Sequence, residues 1–299
     1  MLRRVNPAAP REAHHFVLPY QPPYDWDALV AFLSPRATPG VEIVEPRRYR
    51  RAIAVGGLWG TIDIASAEGA SSLSLDVRVQ DMGVVPAVVD RVRRLFDVDL
   101  DPSVLARHFG GDPLLAPRLA VRPGIRLPRA WDPFELAVRA VLGQQVSVRA
   151  ATTLAGRIAF TYGTPVDDGG LLTRLFPRPD QLSDAPIETL GVMPARARTI
   201  RALASAVASG RITLDSAGDG HAAAASLTAL AGIGPWTASY IAMRGFGEAD
   251  AFPSGDLVLQ RAAGGCTARA LEARSQAWRP WRAYAVMLLW QAPYNSGDA

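Results

Sequence analysis

The spacing of apolar residues changes once along this 299-residue chain, and that change constrains its fold more than any other feature. From Val41 to Gln80 the spacing is that of strands. Val41-Glu42-Ile43-Val44 is followed by Arg51 to Val55. Gly56-Gly57 then marks a hairpin turn before Leu58 to Ile64. Leu73, Leu75, Val77 and Val79 alternate with polar partners, as in a strand with one wet face. From Val84 to Phe96 the period becomes helical, with Val85, Val88, Val89, Val92, Leu95 and Phe96 on one stripe. Five prolines between Gly110 and Pro133 mark the expected linker. Beyond it the strand pattern does not return.

In that second part Asp132-Pro133-Phe134-Glu135 reads as an N-cap, a first-turn proline and a capping-box acid opening a helix to Leu142. Gly143-Gln144-Gln145-Val146 breaks it, and Ser147 caps another helix that ends near Gly163. Pro194 to Ser209, His221 to Ala231, Pro235 to Arg244 and Pro280 to Trp290 continue as helices. The expected class is α+β. Residues 1–15 form a flexible leader with His14 and His15 solvated, 16–126 an antiparallel-sheet domain with packed helices, and 127–299 an all-α region.

Composition excludes several chemistries. One cysteine, Cys266, allows no disulfide, four-cysteine zinc site or iron–sulfur cluster within the chain. All 32 basic residues are arginine, so no lysine amine can form a Schiff base. The formal charge of +4 is shared by both halves and permits a nucleic-acid partner without requiring one. The basic opening, Met1 to Pro7, has no apolar run behind it, and no stretch is long and apolar enough for a membrane span. A cytoplasmic protein is expected.

Leu230-Ala231-Gly232-Ile233-Gly234-Pro235-Trp236-Thr237-Ala238-Ser239-Tyr240 is the most informative segment. Two helices meet at a Gly-x-Gly turn, and the second opens on a proline. Free N–H groups at such a helix start favour a phosphate, although any tight helical hairpin can use glycines this way. Trp236, Tyr240 and Met243 follow on one helix face, a stripe that serves as core or as a platform for a base. Asp256 then stands between Phe252-Pro253-Ser254-Gly255 and Leu257-Val258-Leu259, where it reads as an N-cap that can also offer one oxygen to a cleft.

The hairpin, the Trp-Thr-Ala-x-Tyr helix start and the Phe-Pro-x-x-Asp segment resemble the AlkA-type 3-methyladenine DNA glycosylases of the helix-hairpin-helix superfamily. Gln21 to Trp26, Arg94 to Asp97, Arg122 to Pro128, Leu142 to Gln144 and Trp278 to Arg282 carry the resemblance along nearly the whole chain. It implies Asp256 as the catalytic aspartate and Trp236, Tyr240, Trp290 and Phe32 as base-pocket rings. It implies Gly232, Gly234 and Thr237 in a DNA-anchoring hairpin whose carbonyls bind a monovalent cation. No other cofactor and no metal site is expected. Gln145 stands where the family carries an apolar wedge that enters the duplex.

The implied activity is hydrolysis of the N-glycosidic bond of alkylated bases, such as 3-methyladenine and 7-methylguanine, in double-stranded DNA. This is the entry step of base excision repair. Some branches of the superfamily attack the sugar with a lysine and cleave the strand. The absence of lysine predicts a monofunctional enzyme, working as a monomer that is nucleoid-associated when bound. Two alternatives share the hairpin: a damaged-DNA-binding module without chemistry, and a glycosylase for another lesion such as oxidised guanine.

Overall fold

The period-2 segment folds as a five-stranded antiparallel sheet in the computed structural model, which describes residues 12–67, 69–215 and 217–290. Its strands are β1 (His14–Pro19), β2 (Glu42–Glu45), β3 (Arg48–Val55), β4 (Leu58–Ser66) and β5 (Ser72–Arg78), arranged β1-β5-β4-β3-β2. Gly56 and Gly57 take φ of 60° and 77° and join Val55 to its partner Leu58, a turn that suits right-twisted strands. Leu73, Leu75 and Val77 point to one fully buried face of β5.

One expectation changes here. His14 and His15, though the His15 side chain is exposed, open β1 opposite Val77 and Asp76 instead of lying in a loose leader, and His15 Nδ1 lies 2.9 Å from Asp76 Oδ1. Phe16 and Leu18, two apart on the same strand face, anchor the segment on the sheet core. Residues 1–11 of the expected leader lie outside the described residues. β4 is buried on both faces, because Val166 and Leu172 from beyond the sheet cover Ala52 and Trp59 on its reverse side.

Two helices cover the first face: α1 (Trp26–Leu33), capped by Asp25, and α2 (Val85–Leu95). Then follow α3 (Pro102–Phe109), α4 (Ala116–Val121), α5 (Pro133–Leu142), α6 (Val148–Tyr162), α7 (Pro179–Leu182) and α8 (Pro194–Ala208). The chain continues with α9 (Gly220–Thr228), α10 (Pro235–Ile241), α11 (Leu257–Ala262), α12 (Ala268–Ser275) and α13 (Arg282–Trp290). Among the described residues, no helix is long and apolar enough to cross a membrane.

The apolar residues gather in three main cores. One joins the sheet to α1 and α2. A second surrounds α5, whose every residue but Arg139 is buried, with α6, α8, α9 and α10. A third joins α3 and α4 to α11 and α13. The proline-rich segment from Gly110 to Pro133 is therefore not a bare linker. It carries α4 and seals Leu115, Leu119, Ile125 and Leu127 against the helices at the far end of the chain. Prolines that start helices or bridge them look the same, in sequence, as prolines in a loop.

A buried ionic cluster fastens the sheet to α5. Arg51 of β3 pairs with Glu42 (2.8 Å) and with Glu135. Arg139 reaches the same two carboxylates at 3.0 and 3.1 Å. Tyr49 Oη and Thr38 Oγ1 donate to Glu42 and Glu135. Glu135 thus serves this cluster rather than a capping box. Asp132 caps α5 alone, accepting from the Phe134 N–H.

Removing one member of a buried ion cluster strands the opposite charge. Glu135→Gln is expected to lower stability by about 3–5 kcal/mol in denaturant unfolding. Arg178→Ala, which breaks an ion pair exposed on both sides, is expected to cost no more than about 1 kcal/mol.

Candidate active site

Helices α9 and α10 meet at a turn built on Gly232, whose φ is 91°. A Cβ there would lie 2.0 Å from Thr199 Oγ1, so only glycine fits. Thr199 Oγ1 donates to the Ala231 carbonyl from α8 behind the turn. From the other side Gln144 Nε2 donates to the Gly232 carbonyl (2.9 Å) and to Thr237 Oγ1 (3.1 Å). The loop between α5 and α6 is thereby tied to the hairpin. Gly234 precedes α10 and Pro235 opens it, leaving the first turn without a side-chain cap.

Helix α10 runs into a π turn, Ala242–Phe246. The sequence places Met243 on the ring face. In the structure Met243 is buried in the third core, and Arg244 takes its place beside Trp236 and Tyr240. A change to i→i+5 bonding moves each later side chain around the axis, which no residue pattern announces.

Asp256 caps α11. Its Oδ1 accepts from the Val258 and Leu259 N–H groups at 2.9 and 3.1 Å. Its Oδ2 accepts from Trp236 Nε1 at 3.1 Å. Both oxygens are thus oriented, one by the helix start and one by an indole. Trp236 stacks on Tyr240 with centroids 5.5 Å apart and planes 9° from parallel. Tyr240 tilts against Trp290 at 6.1 Å, and Trp290 stacks on Phe32 at 6.0 Å. These four rings and Asp256 line one cavity of about 720 Å³. It lies where the three cores meet, since Phe32 packs on the first and third and Tyr240 on the second and third.

The end of the cavity near Phe32 is rich in positive charge. The Arg36 and Arg244 guanidinium carbons stand 3.9 and 4.7 Å from the Phe32 centroid, so that ring already serves two arginines. Burial pushes the Tyr240 phenol up, but Arg244, Arg36 and Arg139 outweigh it and hold it below its ordinary value. Burial first, then repulsion from Arg36 and Arg139, brings Arg244 down to about 10 against the pull of Tyr240.

The structure therefore brings Asp256, Trp236, Tyr240, Trp290 and Phe32 to one cavity. Gln145 stands apart on the exposed α5–α6 loop, between Gly143 and Val146 of the cavity mouth, with φ of 55°. Gly232 and Gly234 are exposed, whereas Thr237 is 3% exposed and braces the turn from beneath through Gln144. Gln144, Arg36, Arg139 and Arg244 escape a reading of the sequence. The one available signal is an arginine inside an apolar helical run, as at Arg139 and Arg244. Among the described residues no group of histidine, cysteine or acidic side chains could hold a metal ion.

Comparison with known proteins adds to this geometry. Residues 15–132 match the AlkA N-terminal domain. The chain is 34% identical to DNA-3-methyladenine glycosylase 2 of Escherichia coli, over 92% of this chain and 96% of that one. It is 41% identical to a probable bifunctional transcriptional activator/DNA repair enzyme AlkA of Mycobacterium tuberculosis, over 91% of this chain. There it spans only 56% of the relative's length. A solved 3-methyladenine DNA glycosylase from Archaeoglobus fulgidus shares the fold, with a TM-score of 0.79 at 20% identity, covering 92% of this chain and 97% of that one.

Gly232→Ala meets both a strained φ and Thr199, and is expected to cost about 1–3 kcal/mol in denaturant unfolding. A Cβ at Gly234 meets nothing within 4 Å, and serine is a better N-cap than glycine. Gly234→Ser is expected to leave the midpoint unchanged.

Proposed function

Because the chain belongs to the family of AlkA-type DNA-3-methyladenine glycosylases, we infer that it releases alkylated bases from double-stranded DNA by hydrolysing the N-glycosidic bond. The observation that carries this reading is the Asp256 carboxylate on the wall of a ring-lined cavity, 3.1 Å from the Trp236 indole and next to a glycine hairpin.

A base inside a duplex is out of reach, so the nucleotide must swing out, at a cost of a few kcal/mol. The hairpin around Gly232 and Gly234 grips the backbone through its free N–H groups. Gln145, raised on its own loop, fills the vacancy by hydrogen bonding as well as packing. The hairpin is also proposed to hold a monovalent cation. The carbonyls of Leu230, Ala231 and Gly232 each accept one hydrogen bond and keep a second lone pair for it.

Within the cavity, Trp236, Tyr240 and Trp290 sandwich the base. A purine alkylated at N3 or N7 is cationic, and such a ring gains about 0.5–2 kcal/mol from an aromatic face. As the bond between C1′ and the base nitrogen breaks, the electron pair leaves with the base, which becomes neutral. Positive charge develops on the sugar, and Asp256 stabilises it. Water adds to C1′, with Asp256 orienting it and drawing off its proton. The leaving group is already charged and needs no acid. No lysine can attack the sugar, so the product is an intact abasic strand.

Asp256→Asn preserves shape and a helix cap while removing the charge. It is expected to slow release of 3-methyladenine from duplex DNA by about 10²–10⁴-fold in single-turnover assays. Duplex binding without release by the unaltered protein would instead indicate a damage-binding module. Product strands from the unaltered protein are expected to break only after alkali; breaks without it would contradict hydrolysis alone.

A further inference from the structure

Gln145 holds left-handed backbone, with φ of 55°. A residue with a side chain seldom adopts that conformation, and it persists only where the surroundings enforce it. Gln145 is exposed, and among the described residues it makes no hydrogen bond of its own. Its pose is therefore set by whatever fixes the residues on either side. After it, Ser147 caps α6, its Oγ accepting from the Ala150 N–H at 3.2 Å. Before it, Gln144 is held twice. Its side chain is bonded to the hairpin, and its carbonyl accepts from Arg196 Nη2.

Arg196 belongs to the first turn of α8 and is half-buried. Among the described residues the Gln144 carbonyl is the one hydrogen-bond partner of its guanidinium, and no carboxylate lies within ion-pair distance. A cation here also complements the negative end of α5. The carbonyl it holds, however, lies past the cap residue Gly143 and belongs to the peptide that leads into Gln145. Three residues on, Thr199 donates to the Ala231 carbonyl of the hairpin. Residues three apart share a helix face. One face of α8 thus holds both the hairpin and the loop that carries Gln145.

We propose that Arg196 is a positioning residue for nucleotide extrusion. By holding the peptide between Gln144 and Gln145, it keeps Gln145 raised and ready to fill the gap that the extruded nucleotide leaves. Arg196 is not among the residues that line the cavity, so it acts through Gln145 and takes no part in breaking the glycosidic bond. Without it the loop regains freedom and Gln145 leaves the left-handed region. Ordering that residue again on the DNA then costs part of the binding free energy. The extruded state becomes less populated, while Asp256 and the rings stay as they are. This assignment rests on the reading of Gln145 as the residue that enters the duplex.

The test uses the full chain and a duplex carrying 2′-fluoro-7-methyldeoxyguanosine, whose glycosidic bond resists hydrolysis, with 2-aminopurine as its 3′ neighbour. Extrusion unstacks the 2-aminopurine and raises its fluorescence. The ratio of extruded to stacked duplex at saturating protein is thus read without turnover. Arg196→Met is expected to lower that ratio at least about fivefold, the scale of one lost charge-assisted hydrogen bond. Beside Gln145→Ala, the same substitution is expected to change it by less than about twofold, because residues acting as a unit are not additive. A smaller loss in the single variant overturns the assignment, and so does a larger change beside Gln145→Ala. Should Arg196→Met fail to melt cooperatively, Arg196→Ala replaces it under the same criteria. If Gln145→Ala alone leaves the ratio unchanged, the reading of Gln145 fails and takes the assignment with it. If Gln145→Ala lowers the ratio and Arg196→Met does not, the role of Arg196 fails alone.

Discussion

The cavity depends on the buried ion cluster that joins the sheet to α5. Arg51 and Glu42 come from the strand side, and Glu135 and Arg139 from the helix. Arg139 also donates to the Arg36 carbonyl at the end of the segment that carries Phe32. One wall of the cavity thus hangs from the first core and the other from the second, and four charged side chains set the distance between them. Such a cluster adds little net stability compared with apolar packing, but it tolerates no loose register. That suits a cavity whose ring-lined walls must keep their spacing.

The proposed catalytic carboxylate is held by economical means. One Asp256 oxygen is fixed by the start of α11 and the other by an indole that also forms part of the wall. The reacting group and the surface that receives the base therefore share a hydrogen bond. A shift of the Trp236 ring moves the carboxylate with it, so that ring placement and chemistry are coupled through a single contact.

Much of the fold was legible in the sequence. The alternation in β5, the Gly56-Gly57 turn and the caps of α5 and α6 are local signals, and the structure follows them. What escaped is non-local. His14 and His15 join a sheet only because β5 is there to pair with them. Leu115 to Leu127 become core only because α11 and α13 return from the far end of the chain. Glu135 satisfies a capping pattern but is claimed by Arg51, which lies 84 residues away. At the site, Asp256 and the four rings gather at one cavity, whereas the arginines around them carry no motif. Arg244 stands on the ring face where Met243 was expected, and the π turn that continues α10 leaves no trace in residue spacing.

Gln144 has a consequence for how the surface would respond to a grip. By bonding at once to the Gly232 carbonyl and Thr237 Oγ1 it makes the rim loop and the glycine elbow a single mechanical plate. Thr199 pins that plate to α8 from below. Pressure on the elbow is therefore passed to the loop that bears Gln145 without any helix having to bend. Under the proposed function, holding the strand and propping open the stack would be two ends of one lever.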